Sequence, residues 1–509
     1  MNIRTLIRSD CCADDWRGGP RPDQGGALVP SLSWQARRQL PRNGKSIRRL
    51  SHSVRNDRFV AYLARSHAMS TPDKIDAHQK ALSLNLDASA FGSFAEIGAG
   101  QEVARWFLRV GAASGTVAKT ISAYDKEVSD DLYGSGTRYV SQPRLLAMLD
   151  NEWAQLLSQL NATRGATTRF FSFVDTISAR NFAGTNECHG WLGVRFQTRP
   201  RGEASDVVLH VNLQDPSNLH QQEAIGVLGV NLIYALFHHL GAPEEFLKSV
   251  AEDVPLSRIE IDCVELSGPA FEKWDRRLLH ASLITLGLAE AIVFPVDGKI
   301  LPPDEVLYKK TVVLAPGAFD IVQYFDAELI QTTLAQIPQE EVAQSKSAIG
   351  FLCLSGAGNP VTQSPLSAPE IVEHVDELHK LGSGVLVFRE QELYKMCGFV
   401  NRFTKARIHF AVGLSIMIWA LQDRYKDLGG SLLEGLAKLF RENVRLSVFP
   451  MPEANVQQWQ ASGKMPDWKW NATDALVHAH ELHPPEPLNH LYQYLLGCQF
   501  IVPMSPAAK

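Results

Sequence analysis

Phe94-Ala95-Glu96-Ile97-Gly98-Ala99-Gly100-Gln101-Glu102 reads as a short apolar run, a G-x-G turn and the first turn of a helix. That order predicts a strand–turn–helix unit and, with it, an α/β fold. The helix is amphipathic. Val103, Trp106, Phe107 and Val110 recur at helical spacing, while Glu102, Arg105 and Arg109 fill the other face. Gly111 is placed to end it. A turn of this kind presents backbone N–H groups at a helix N-terminus, where phosphate or another anion can be held. Glycine at 98 and 100 permits a positive φ and close approach of a ligand.

The motif is one residue short of two nucleotide fingerprints. G-x-G-x-x-G needs a glycine where Val103 stands, and the methyltransferase-like E-x-G-x-G-x-G fits from Glu96 to Gly100 but meets Glu102 at its last position. Asp125 follows at about the distance of a ribose-binding carboxylate. Two readings stand. In one, Gly98, Gly100 and Gln101 cradle an anion and Glu96 or Asp125 addresses a ribose, with S-adenosylmethionine as a variant ligand. In the other, the glycines only let a helix pack closely on a strand.

Reading outward, residues 70–160 are mainly helical, with 144–160 strongly periodic through Leu145, Met148, Leu149, Trp153 and Leu156. A β-rich segment follows near 165–215, with strands expected at 170–177, 191–198 and 206–213. The apolar block 224–240 carries Asn231 and two histidines, which favours a buried helix over a membrane span. From 258 onward strands alternate with helices: 258–266, 291–295, 306–315, 348–356, 384–388, 407–413 and 444–450 are strands, with helices near 270–288, 368–381, 390–403 and 430–441. This alternation predicts mainly parallel sheets with flanking helices. The expected organisation is a leader or over-extended start at 1–68, an N-terminal α/β domain at 69–340, a C-terminal α/β domain at 341–453 and an extension at 454–509.

Composition bounds the function. Of 509 residues, 45% are hydrophobic and 21% charged, ordinary for a globular protein. Residues 1–68 hold 13 Lys or Arg against 5 Asp or Glu, so the body is acidic, with 37 basic against 50 acidic residues. An acidic body gives no support for nucleic-acid binding. No apolar h-region follows an early basic residue, and Met69 opens a plausible natural start. The seven cysteines form no C-x-x-C pair, which suits reduced thiols in a cytoplasmic protein.

Several residues are candidates for chemistry. Lys119, Tyr124 and Asp125 lie in TVAKTISAYDKEVSDDLYG, where Lys119 suits a phosphate and Asp125 a ribose or proton transfer; a polar helix face is the plainer alternative. His189, in NECHGW, suits a general base, or is a loop histidine without a role. Lys309 is a second phosphate candidate or an exposed strand end. Leu354 to Pro360 forms a second strand-then-glycine turn, site-lining or a plain loop. His478, His480, Glu481 and His483 cluster, but their spacing matches no metal motif and no metal is expected. No phosphate loop, nucleophile elbow or kinase motif set is present.

SFAEIGAGQEVARWF (93–107), AKTISAYD (118–125), RYVS (138–141), HGWLGVRFQ (189–197), QQEAIGVLGVNLIYA (221–235) and LYKK (307–310) together resemble a bacterial family over about 82–450. Its members go by two conflicting names, TonB-dependent receptor and nicotinate-nucleotide adenylyltransferase. The first implies an outer-membrane barrel of alternating lipid-facing strands, at odds with strands that alternate with helices. The second implies a nucleotide site, yet its H-x-G-H-type signature is missing here, so neither name carries a catalytic residue over. The expectation is an enzyme handling a nucleotide or phosphometabolite, in the manner of a transferase, with a small nucleotide-like ligand, an unidentified cofactor and an unassigned oligomeric state. The alternative is a non-catalytic scaffold or regulatory protein.

Overall fold

The computed structural model describes residues 75–505 apart from 137, 318–323, 344, 359–363 and 423–424. The expectations for residues 1–68, for Cys11 and Cys12 and for Asn359 and Pro360 lie outside the described residues. Two sheets organise the rest. The first holds β1 (Ala90–Ile97), β2 (Val117–Ile121), β3 (Arg169–Ser178), β4 (His189–Gln197), β5 (Ala204–Leu213) and β6 (Ile259–Ser267) in the order β2-β1-β3-β4-β5-β6. β1 runs parallel to β2 and β3, and β3 to β6 form an antiparallel meander. The expected strands of the β-rich segment are therefore present. β2 is an addition, since a polar helix face was the plainer reading of 118–125. Its alternation is weak because the strand lies at a sheet edge with every side chain half-buried or exposed.

The second sheet holds β7 (Ala291–Phe294), β8 (Thr311–Pro316), β9 (Ala348–Ser355), β10 (Gly384–Phe388), β11 (Ile408–Gly413), β12 (Val444–Phe449) and the final strand Ile501–Pro503. From one edge the order is final strand-β12-β11-β8-β9-β10-β7, parallel except for β7. Counted from β8, this is the 3-2-1-4-5-6 order of a doubly wound sheet with one antiparallel strand added. The chain winds outward from β8 through β9 and β10, then returns to the other side of β8 for β11 and β12.

This topology corrects the expected domain boundaries. β8 and β9 pair in register from Thr311↔Ala348 to Pro316↔Cys353, so a division near 340 would part neighbouring strands of one sheet. The segment 454–509 supplies the edge strand beside β12. The register of strand and helix also shifts at 303–310, where Pro303–Leu307 is helical and the strand starts at Thr311.

Phe94 shows how the opening stretch enters the core. It is fully buried, with its ring 5.0 Å from Phe107 on the following helix and 5.6 Å from Phe171 on β3. The helix Glu102–Arg109 packs on the long helix Asn218–His238. Gly229 permits the contact, since a Cβ there would lie 2.3 Å from Val103 Cγ2. The apolar block is thus a buried helix, and among the described residues no helix is long and apolar enough to cross a membrane.

Candidate functional site

The glycine turn is built as its sequence suggests, but its anion position is filled from within the chain. Glu96, the next-to-last residue of β1, accepts hydrogen bonds from Val103 N and Ala104 N, both at 2.9 Å. Its carboxylate thus occupies the N-terminal end of the helix, where an external phosphate would sit. Gly98 has φ +99° and its absent Cβ would stand 1.8 Å from Ile177 O, so close strand packing demands glycine here. Gly100 has φ +78°, a Cβ there would lie 3.8 Å from Gln222 Oε1 and from Glu102 Cγ, and Gln101 makes no side-chain cap.

Glu96 stands opposite Asp175 in the β1–β3 register. Asp175 Oδ1 accepts from Ile97 N at 3.0 Å, while Oδ2 is buried without a partner. Burial lifts the Glu96 carboxyl to about 7 against the N–H groups that favour its charge, and burial lifts Asp175 as well. A carboxyl whose folded pKa exceeds its unfolded value near 4.5 stabilises fully below that value and loses its contribution as pH rises through about 7. Stability should fall over that window, and Glu96→Gln should make the fall shallower in urea titrations at stepped pH. An unchanged pH slope would contradict the assignment.

Of the other residues singled out, Lys119 and Asp125 hold structural contacts and Lys309 stands at the surface. Lys119 Nζ, on β2, lies 2.6 Å from the buried Glu152 Oε2 and 2.8 Å from Gln155 Oε1. Asp125 caps the helix Lys126–Tyr133, its Oδ1 accepting from Glu127 N at 2.9 Å and Val128 N at 3.2 Å. Lys309 is exposed with φ +58°, its Nζ 5.0 Å over the Tyr308 ring. These residues do not converge on one cavity.

His189 does face a cavity. It starts β4, is buried, and lies beside β5 with His189 opposite Asn212 and Trp191 opposite His210. His189 Nδ1 is 3.1 Å from His210 Nε2, and His210 Nδ1 is 2.6 Å from Asp262 Oδ1. Asn212 Nδ2 donates to the second oxygen, Asp262 Oδ2, at 2.7 Å. Asp262 is available because the β5–β6 ladder slips between His210 and Val211. His210 pairs with Cys263 and Val211 with Ile261, leaving Asp262 as the extra residue of a bulge. The Trp191 ring, 4.8 Å from the His210 ring, closes one side.

The proton positions follow from the partners. Arg138 Nη2 approaches His189 Nε2 at 3.5 Å, and a guanidinium only donates, so Nε2 is an acceptor and the proton sits on Nδ1. His189 then donates to His210 Nε2, and His210 donates to Asp262. Burial, with help from His210 and Arg138, pushes His189 down to about 4, so it is neutral at pH 7. Burial also opposes charge on His210, but Asp262 outweighs it and raises that pKa. The charge of an added proton is thus directed to His210, against Asp262.

The cavity in front of this chain measures about 250 Å³ and is lined by Cys188, His189, His210, Asn212, Asp304, Arg402 and Phe403, among others. Arg402 Nη2 is 2.6 Å from the fully buried Glu260 Oε2, and its Nη1 is 3.2 Å from Glu290 Oε2. Asp304 Oδ1 is buried without a hydrogen-bond partner. His189, His210 and Asp304 each bring a ligand atom within 4.8 Å of the others, a set that could take a metal ion. The histidines at 478–483 form no such set among the described residues. His483 Nε2 instead meets Asn471 Nδ2 at 3.2 Å.

Of the residues at this cavity, the sequence singles out His189 and not His210, Asp262, Asp304 or Arg402. A signal existed in His210-Val211-Asn212 and Glu260-Ile261-Asp262, polar residues at alternate positions inside apolar strands. The five described cysteines are free thiols.

No protein-family model and no curated protein matches the chain. Among solved structures it is similar to the competence/damage-inducible protein CihA from Agrobacterium tumefaciens, at 16% identity and TM-score 0.24, over 33% of this chain and 99% of that one. It is similar to a competence-damaged protein (CinA) superfamily member from Enterobacter cloacae, at 14% identity and TM-score 0.24, over 33% and 97%. A competence or damage-inducible protein from Enterobacter asburiae gives 14% identity and TM-score 0.23, over 32% and 98%. Likenesses of this size are too slight to carry a functional argument.

Proposed function

We propose that this chain is a group-transfer enzyme for a small phosphorylated, nucleotide-like metabolite, with its reaction centre at His189. The observation that carries this reading is the hydrogen-bonded chain His189–His210–Asp262 opening on a cavity. With Arg138 turned from it to the substrate, His189 Nε2 takes the proton of the attacking hydroxyl, and its Nδ1 proton passes to His210 Nε2. The resulting imidazolium is held by Asp262 until the proton returns along the same path to the leaving oxygen. Arg138, which has no carboxylate partner among the described residues, stands at His189 to meet the substrate's negative charge.

A second reading rests on Asp304, whose orphaned oxygen joins His189 and His210 in a metal-ligand set, with Asp262 orienting His210 from behind. Chelator treatment separates the two, since the proton relay predicts full activity after it.

The ligand side is tested by thermal-shift titration of the full chain with nicotinate mononucleotide, which the family resemblance suggests, and with NAD, ATP and sugar phosphates. The expected result is stabilisation by a phosphorylated compound and ~10-fold weaker binding in Arg138→Ala, as for loss of a charged hydrogen bond. No shift with any compound, or a shift indifferent to Arg138→Ala, contradicts the reading and favours a non-catalytic scaffold.

A further inference from the structure

We propose a second ligand site, for a nucleoside, in the cavity at the carboxyl edge of the doubly wound sheet. This cavity measures about 880 Å³, within the range of small-molecule sites. It is lined by Pro316 and Gly317 at the end of β8, by Ser355 at the end of β9, and by Ser415 just after β11. β8 lies between β9 and β11, where the winding of the chain reverses direction. Open α/β sheets hold ligands at this place, because the loops of oppositely wound halves part there and leave a crevice. The second glycine turn of the sequence borders it through Ser355 and Gly358.

The lining selects the ligand class. Trp419 and Trp459, both half-buried, and the buried Met396 supply flat and deformable apolar surface, which suits a planar heteroaromatic ring. Ser355, Ser415, Gln391 and Gln422 add donors and acceptors for base edges and ribose hydroxyls. Among the described lining residues Lys464 is the one lysine or arginine and is exposed, whereas Glu370 contributes negative charge. A polyphosphate would meet too little positive charge there, so the geometry points to an uncharged nucleoside.

The site is distinct from the His189 cavity. The helix Leu393–Phe403 joins them: Leu393 and Met396 line the apolar cavity, and Arg402 and Phe403 line the other. Its 11 residues span about 15 Å at the helical rise.

The test titrates the full chain with adenosine, guanosine, uridine and ATP, read by calorimetry and tryptophan fluorescence. The expected result is saturable binding of at least one nucleoside, no tighter binding of ATP, and ~10-fold weaker binding in Trp419→Ala, as for loss of one stacking partner. Trp459→Ala is the second variant, on the separate helix Glu453–Ala461. His189→Ala should bind the nucleoside unchanged, which separates this site from the proposed reaction centre. Three results would each overturn the proposal: no nucleoside binding, binding unaltered in both tryptophan variants, or binding lost in His189→Ala.

Discussion

His189→Ala should lower turnover of the phosphorylated substrate on the order of 10²–10⁴-fold, the usual contribution of a positioned general base. KM should stay near the parent value, because Arg138 remains to bind the ligand, while the melting temperature should fall modestly, because the buried His210 Nε2 loses its hydrogen-bond partner. Asp262→Asn should act on the same step from behind. Asp262 accepts from His210 Nδ1 through one oxygen and from Asn212 Nδ2 through the other. An asparagine offers one acceptor oxygen, so its amide nitrogen must face a donor, and the charge that supports the His210 imidazolium is gone. The expected loss in kcat approaches that of His189→Ala, with KM again unmoved. A fall in KM-controlled binding alone would show that these residues hold substrate and move no proton.

The second large effect concerns stability. Glu260 is fully buried and meets Arg402 Nη2 at 2.6 Å, with Glu290 N donating to its other oxygen at 2.9 Å. Arg402→Met removes the cation and strands a carboxylate in the interior. Where the carboxyl stays ionised, breaking a buried pair in this way costs on the order of 3–5 kcal/mol. The cost depends on pH. Burial pushes Glu260 up to about 7 even with Arg402 beside it, so without Arg402 the group rises further. Below an unfolded value near 4.5 the carboxyl is neutral in both states and the variant loses little. The deficit should open as pH rises through 7. Glu260→Gln combined with Arg402→Met should recover most of the stability at pH 8, which a double-mutant cycle in urea measures. A deficit independent of pH would mean that Arg402 acts through packing of its stem.

Much of this fold is legible in the sequence because its elements are strongly periodic. Leu145, Met148 and Leu149 mark the helix Gln142–Arg164, and Gly384–Phe388 is an uninterrupted apolar strand. What escaped was set by pairing at a distance. Val117–Ile121 is an edge strand whose alternation no core enforces. Ile501–Pro503 is a strand only because Leu446, Ser447 and Val448 lie beside it. The candidate site divides the same way. Glu96, Gly98 and Gly100 stand out as a motif, yet the motif closes on itself when Glu96 caps the helix. His189 stands out only as a single residue, since its partners arrive from β5, from a bulge in β6 and from Asp304, at separations local patterns do not report.

The proposed reaction centre lies at His189 and not at the glycine turn. Single-turnover rates of the parent chain, His189→Ala, Lys119→Met and Asp125→Asn, measured with the phosphorylated compound that stabilises the protein, test it most directly. The rate should collapse in His189→Ala and stay within a few-fold in the other two. A collapse in Lys119→Met or Asp125→Asn with His189→Ala unaffected would place the chemistry at the glycine turn and contradict it.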